Sequence, residues 1–173
     1  NDEVFVKPVA EQGRAGGLPI RLIDNLRRSI DPRRDVKAYA DLKRAIREFQ
    51  PDVVHTHSAK AGFLGRLAAS SLGVKAIVHT VHGAPFHAYQ NALARAAFRW
   101  CEWYAAQHCH KMISVADAMT DLLVSAKVAP REKFTTIYSG MDVEPFLNAD
   151  QHRAARRAKL GYQPHHVVIG KIA

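Results

Sequence analysis

The chain of 173 residues reads as an α/β fold built on a doubly wound parallel sheet. Three observations predict it. Short β-branched runs alternate with longer amphipathic stretches. Several of those runs stop at clusters of His, Ser, Thr and Gly instead of at ordinary turns. The stretches between them have the length of right-handed crossovers joining parallel strands. A hydrophobic content of 47% is enough for a substantial core and argues against disorder.

The elements follow in order. Pro8, Gly13, Gly16 and Gly17 break any regular pattern near the start, where Val4, Phe5 and Val6 offer one short strand. Leu18 to Ile23 reads as a strand, with Pro19 confining it to an edge or a strand start, and Arg27 to Arg34 as a basic loop. A helix begins at Asp35, its N-cap, on the helical spacing of Val36, Tyr39, Leu42, Ala45, Ile46 and Phe49, and Pro51 ends it. Val53 to His57 is a buried strand. Ser58 or Ala59 opens a helix carrying Phe63, Leu64, Leu67, Ala68 and Leu72, which stops at Gly73. Lys75 to Val81 is the next strand. After a loop through His82 to Tyr89, a long helix runs to about His108 and buries Leu93, Ala97, Trp100 and Tyr104, with Trp103 packing at the rim. Met112 to Val115 and Phe134 to Tyr138 are strands around a helix from Asp117 to Ser125. A loop from Ser139 to Phe146, a basic helix from Asp150 to Leu160 and a strand from His166 to Ile172 complete the chain. The first 161 residues read as one domain lacking its first strand, and residues 162–173 as the start of a second, so the chain reads as a fragment.

A formal net charge of +9 raises the question of an acidic partner. The basic residues come in bursts (Arg27, Arg28, Arg33, Arg34, then Arg153, Arg156, Arg157, Lys159) without interleaved aromatics, which argues against nucleic acid. Cys101 and Cys109 fall eight residues apart on one predicted helix. That spacing is roughly 12 Å, beyond a disulfide, and their unpaired use fits a reducing cytoplasm. No apolar run is long enough to span a bilayer.

Two phrases hold the polar chemistry, PDVVHTHSAKAGFLGRLAA from Pro51 and KAIVHTVHGAPFH from Lys75. Both run off a strand's carboxyl end, where open α/β sheets bind ligands. His55 and His57 share a face of their strand, and His79 and His82 end the next. A zinc cluster would recruit carboxylates or cysteines, and the nearest acid, Asp52, is at the wrong end, so no metal is expected. His55 and His79 read as packed sheet residues satisfied by backbone groups. His57 and His82 can hydrogen-bond a sugar hydroxyl or a phosphate, and Gly83 lets a ligand approach the backbone. Ser58 and Lys60 open a helix whose free amides favour an anion, or equally form an N-cap beside a solvated lysine. Glu102, amid apolar neighbours, reads as structural, paired with a buried donor. No Walker, dinucleotide or nucleophile-elbow motif is present.

These phrases, together with Glu102, KMISVA and SGMDVEPF in that order, resemble the amino-terminal domain of group-1 (family 4) retaining glycosyltransferases. The resemblance covers roughly residues 18 to 173. It implies a Rossmann-like domain, the amino-terminal half of a GT-B architecture, facing a cleft to a second domain. It implies transfer of a sugar from a nucleotide-sugar donor, a co-substrate, to a glycan or lipid-linked acceptor, with no cofactor and no obligatory metal. His82 matches the family's cleft histidine, the catalytic assignment. His57, Ser58 and Lys60 match the acceptor-facing segment, and Gly83, Phe86 and His87 continue the second phrase as substrate-binding. Ser139, Gly140 and Asp142 match a substrate-binding loop usually written Asn-Gly-x-Asp, with serine replacing asparagine. The resemblance further implies that this chain, without the donor half, does not catalyse transfer. It gives the arginine bursts of this cytoplasmic reading a use against an anionic membrane surface or a lipid-diphosphate acceptor, beside the plainer reading of a solvated basic face. The rival readings are a nucleotide-sugar 2-epimerase of the same fold and a non-catalytic module binding glycan or anionic lipid.

Overall fold

The computed structural model describes residues 10–170. The elements are α1 (Pro32–Phe49), β1 (Val53–His57), α2 (Ala59–Ser71), β2 (Ala76–Val81), α3 (Ala92–Gln107), β3 (Lys111–Ser114), α4 (Asp117–Ser125), β4 (Phe134–Thr136), α5 (Glu144–Leu147) and α6 (Asp150–Lys159). A single 3-10 turn, Arg131–Lys133, leads into β4. The chain separates into two compact units, one ending at Tyr138 and the other starting at Ser139.

In the first unit the four strands form one parallel sheet in the order β1-β2-β3-β4, the expected α/β, Rossmann-like arrangement of strand and crossover helix. Thr56 pairs with His79 and His79 with Met112, so these residues share the face on which the helices pack. A Cβ on Gly62 of α2 would lie 2.3 Å from His79 Cε1, and one on Gly65 would lie 2.8 Å from Thr56 Cγ2. The two glycines therefore let α2 sit directly on the strands, as no larger residue would. On the same face α4 is tied down by Thr120, whose hydroxyl meets those of Ser114 and Thr136. Ile77, Val81, Met112, Leu123, Val128 and Phe134 form the core between the sheet and this helical layer.

Local chemistry explains where elements begin. The Asp31 carboxylate accepts from the amides of Arg33 and Arg34, and Pro32 supplies a preset φ at the first helical position, so α1 starts a turn before the expected Asp35. Asp35 instead lies in the first turn and accepts from the Asp31 amide at 3.3 Å. Gln50, in the left-handed region at φ 51°, ends the helix ahead of Pro51.

Other expectations need correction. Residues 10–15 are helical and turn out through Gly17 at φ 81°, so the glycines end a helix there. Leu18 to Ile23 is irregular: Pro19 removes a donor, and among the described residues the stretch pairs with no strand. Its polar groups turn to α1 instead, with Arg21 paired to Glu48 at 2.6 Å. Among the described residues β1 lies at the sheet's edge, and of its five residues Thr56 alone is buried. In α3 the inward residues are Glu102, Ala105 and Ala106, while Leu93, Ala97, Trp100, Trp103 and Tyr104 are exposed. The expected strand at Val4 to Val6 lies outside the described residues.

The second unit is small. The expected loop after Ser139 contains the one-turn helix α5, with Pro145 near its start, and α6 follows. The Arg157 guanidinium donates to the carbonyls of Gln163, Pro164 and His166 and so pins the turn after α6. Residues 166–170 form no strand, because a strand needs a pairing partner and none is present among the described residues of this unit. Val167 and Ile169 are accordingly 90% and 93% exposed.

Candidate functional site

The carboxyl ends of β1 and β2 bring His55, His57, Thr80 and His82 together. Alternation along β1 sends His55 and His57 to the face away from α2, where their rings lie 4.3 Å apart. His57 Nδ1 meets His82 Nε2 at 3.0 Å with the rings stacked, and His55 Nε2 meets the Thr80 hydroxyl at 2.8 Å. His57 and His82 are both solvent-exposed. A bond between two imidazoles requires a proton on one facing nitrogen and a lone pair on the other. Burial first, then the neighbouring His55 and His82, pull the His57 pKa below its ordinary value, in keeping with that demand. Among the described residues no protein group occupies His82 Nδ1, which is left to face solvent or a ligand. Those residues contain no group of three or more His, Cys, Asp or Glu placed to hold a metal ion.

On the other face of the sheet His79 is buried against Gly62. The Thr56 hydroxyl donates to the Val78 carbonyl at 3.3 Å and so accepts from His79 Nδ1 at 2.9 Å, which places a ring proton on Nδ1. Burial, reinforced by the Arg66 guanidinium, lowers the His79 pKa to about 3. His79 is therefore packed into the sheet as expected, with the Thr56 hydroxyl against its ring, whereas His55 is exposed.

Arg66 of α2 is completely buried, and sequence reasoning overlooked it. Its Nη2 donates to both oxygens of Glu102 at 3.0 and 3.2 Å, its Nε donates to the Gly62 carbonyl, and its Nη1 has no hydrogen-bond partner among the described residues. The expected structural role of Glu102, paired with a buried donor, is the one observed. The available signal for Arg66 was its place in a stripe of small residues, Gly62, Gly65, Ala68 and Ala69, that faces the sheet. A cavity of about 30 Å³, room for one water, is walled by Ser58, His79, Thr80, His82, Gly83 and Glu102. The ion pair therefore reaches the underside of the turn that carries His82.

The remaining expected site residues are placed unevenly. Ser58 stands at φ 65° and ψ 160° ahead of α2, with its hydroxyl making no cap bond. A non-glycine residue held there stores roughly 1–3 kcal/mol of strain, a feature that clusters at functional sites. Lys60 is not free: it donates to the Ser29 carbonyl and pairs with Asp35, joining α2 to the start of α1. Gly83 is open, with nothing near its Cβ position, and His87 is exposed. Phe86 is buried in the core with Val81 and Ile77, because its apolar ring gains more there than at an open rim. Ser139, Gly140 and Asp142 are exposed in the second unit, where Asp142 Oδ1 accepts from the Glu144 amide at 3.3 Å. The strand end of β4 adds a contact that was not anticipated, Tyr138 donating to Asp117 at 2.6 Å. Hydrogen bonds from Thr136 and then Tyr138 hold the Asp117 carboxyl below the usual carboxylate range.

Comparison with known proteins places this arrangement. Residues 7–145 match the family model described as Glycosyltransferase Family 4. Over 127 residues the chain is 32% identical to the UDP-Gal:alpha-D-GlcNAc-diphosphoundecaprenol alpha-1,3-galactosyltransferase of Escherichia coli. The match takes in 73% of this chain and 33% of that protein, so the chain spans about a third of the length of the curated relative it matches. The parallel sheet with its crossover helices is the Rossmann-like, amino-terminal half of a GT-B fold. On the strength of both matches, the chain belongs to glycosyltransferase family 4.

Proposed function

We propose that this chain forms the acceptor-side half of a retaining hexosyltransferase, which moves a sugar from a nucleotide-sugar donor to a glycan or lipid-linked acceptor. The observation that carries the reading is the His57–His82 pair at the open strand ends of a family 4 chain. With Nε2 engaged by His57, His82 has its other ring nitrogen available to orient a sugar hydroxyl. The nucleotide diphosphate that leaves is stabilised by cations from the donor half, so positioning and electrostatics supply most of the rate. Of the acceptor-facing residues, Ser58 and His57 lie at the strand end, whereas Lys60 acts from behind by fixing the entry to α2. The acceptor of the Escherichia coli relative is a sugar on a diphospholipid, which supports a lipid-linked acceptor here.

The test uses the complete protein in detergent with UDP-galactose and other nucleotide sugars, and GlcNAc-diphosphoundecaprenol as acceptor. A product with the donor's anomeric configuration is expected, and His82→Ala should lower kcat by about 10²–10³-fold, the usual effect of removing one stabilising group. Inversion, or an epimerised nucleotide sugar with the acceptor untouched, would overturn the reading. Residues 1–173 alone should show no transfer.

A further inference from the structure

His57 and His82 meet in a way that stability does not demand. Their facing nitrogens, His57 Nδ1 and His82 Nε2, are 3.0 Å apart, while the ring centres are 5.3 Å apart and the planes within 27° of parallel. That centre-to-centre distance is close to the largest the bond allows, so the near-parallel rings are slid past each other until nitrogen faces nitrogen. A bond of this shape fixes both rings. Yet both side chains are exposed, so water would satisfy either nitrogen, and ordering two free side chains costs conformational entropy.

β1 and β2 together hold His57 for this contact. In the parallel register His57 lies opposite Thr80, two residues before His82. The Thr80 hydroxyl meets His55 Nε2 at 2.8 Å, and the His55 ring lies 4.3 Å from that of His57. One side of His57 is thus flanked by a ring tied to the next strand, and its Nδ1 edge is joined to His82. Burial, then the charges of His55 and His82, lower the His57 pKa and keep a lone pair on its ring near neutral pH.

A histidine that works on a ligand is usually oriented through its second nitrogen by a carboxylate or a backbone carbonyl. Among the described residues neither kind of group bonds the His82 ring, and His57 stands in that place. At a site for a nucleotide diphosphate this has a physical sense, because a neutral imidazole fixes the ring without setting another negative charge beside the phosphates.

We infer that His57 is a positioning residue for His82, and that one proton shared between their facing nitrogens fixes both the aim and the protonation of His82 Nδ1, the nitrogen that meets the sugar. The inference rests on the transferase reading and gives His57 a part played through His82 in place of direct contact with the acceptor.

The test compares His57→Ala, His57→Asn, His82→Ala and the double variant His57→Ala with His82→Ala in the complete protein, in the detergent assay. His57→Ala should lower kcat roughly 10–100-fold, the effect of misplacing a working group by about an ångström, with the acceptor KM within about threefold of the parent. Asparagine carries an amide near the position of Nδ1 and should restore kcat to within about fivefold. The double variant should fall within about twofold of His82→Ala alone, since His57 then has nothing to position. Nitrogen NMR of the labelled imidazoles near neutral pH should show a proton on one facing nitrogen and a lone pair on the other. The inference is overturned if the two single effects multiply in the double variant, or if His57→Ala only raises the acceptor KM, since direct contact with the acceptor predicts both. It is equally overturned if the facing nitrogens are both protonated or both bare. The ring spectra are read on the parent without substrate, so they decide even where a variant fails to fold. A parent without transfer activity refutes the function reading instead, and the spectra then decide on the pair.

Discussion

Replacing Glu102 by alanine is the sharpest test of how the site is supported. Arg66 is wholly buried, its Nη1 already lacks a partner among the described residues, and Glu102 takes both bonds from Nη2. Glu102→Ala leaves a buried guanidinium without a counter-charge, its Nε still donating to the Gly62 carbonyl. Removing one partner of a buried pair costs about 3–5 kcal/mol, a large share of the roughly 5–15 kcal/mol that holds a domain together. At about 2–4 °C per kcal/mol, the midpoint should fall by roughly 6–20 °C. Urea unfolding followed by circular dichroism, alongside thermal melts, measures it. A double variant, Arg66→Met with Glu102→Leu, removes both charges and should regain most of the loss, since apolar replacements of buried pairs are often neutral or stabilising. A cost below about 1 kcal/mol for the single variant, or a double variant no better than the single, would refute the reasoning.

Two further outcomes follow from the packing. Gly62→Ala drives a methyl into the His79 ring and should destabilise by about 1–3 kcal/mol, whereas Gly83→Ala, which meets nothing, should stay within about 0.5 kcal/mol in the same urea titration. His79 is neutral when folded, with its pKa lowered from 6.5 to about 3, and takes a proton more readily once unfolded. Its contribution is complete above pH 6.5 and is lost as pH falls toward 3, with a slope of up to about 1.4 kcal/mol per unit. Between pH 6.5 and 5 this group alone should remove about 1.6 kcal/mol, and a folded His79→Gln variant should lose correspondingly less over that interval. Equal pH slopes for parent and variant would show that His79 is not the titrating group.

Much of this fold was legible because its punctuation is local. The β1 and α4 boundaries fall where expected, set by Pro51 and the Ser58 turn for the strand and by Asp117 opening the helix. What escaped depends on partners distant in sequence. Apolar periodicity found α3 but chose the wrong face, because two alanines and a paired glutamate make the inward side while the large residues point out. The stretches at Leu18 and His166 have strand composition without a neighbour to pair with among the described residues. In the site, the alternation of His55 and His57 and the strand-end place of His82 were readable. The bond between His57 and His82 depends on how β1 and β2 align, and the occupation of Lys60 depends on where α1 starts.

The backbone at Ser58 bears on how this protein can change. A residue at φ 65° between a strand and a helix would be relaxed by glycine, yet the chain has a serine there. Ser58→Gly is therefore an easy route to a calmer turn and would at once take away a hydroxyl standing beside His57. Variants selected only for robustness would drift toward glycine at this position, and a hydroxyl retained across divergent descendants would record a demand from the reaction and not from folding.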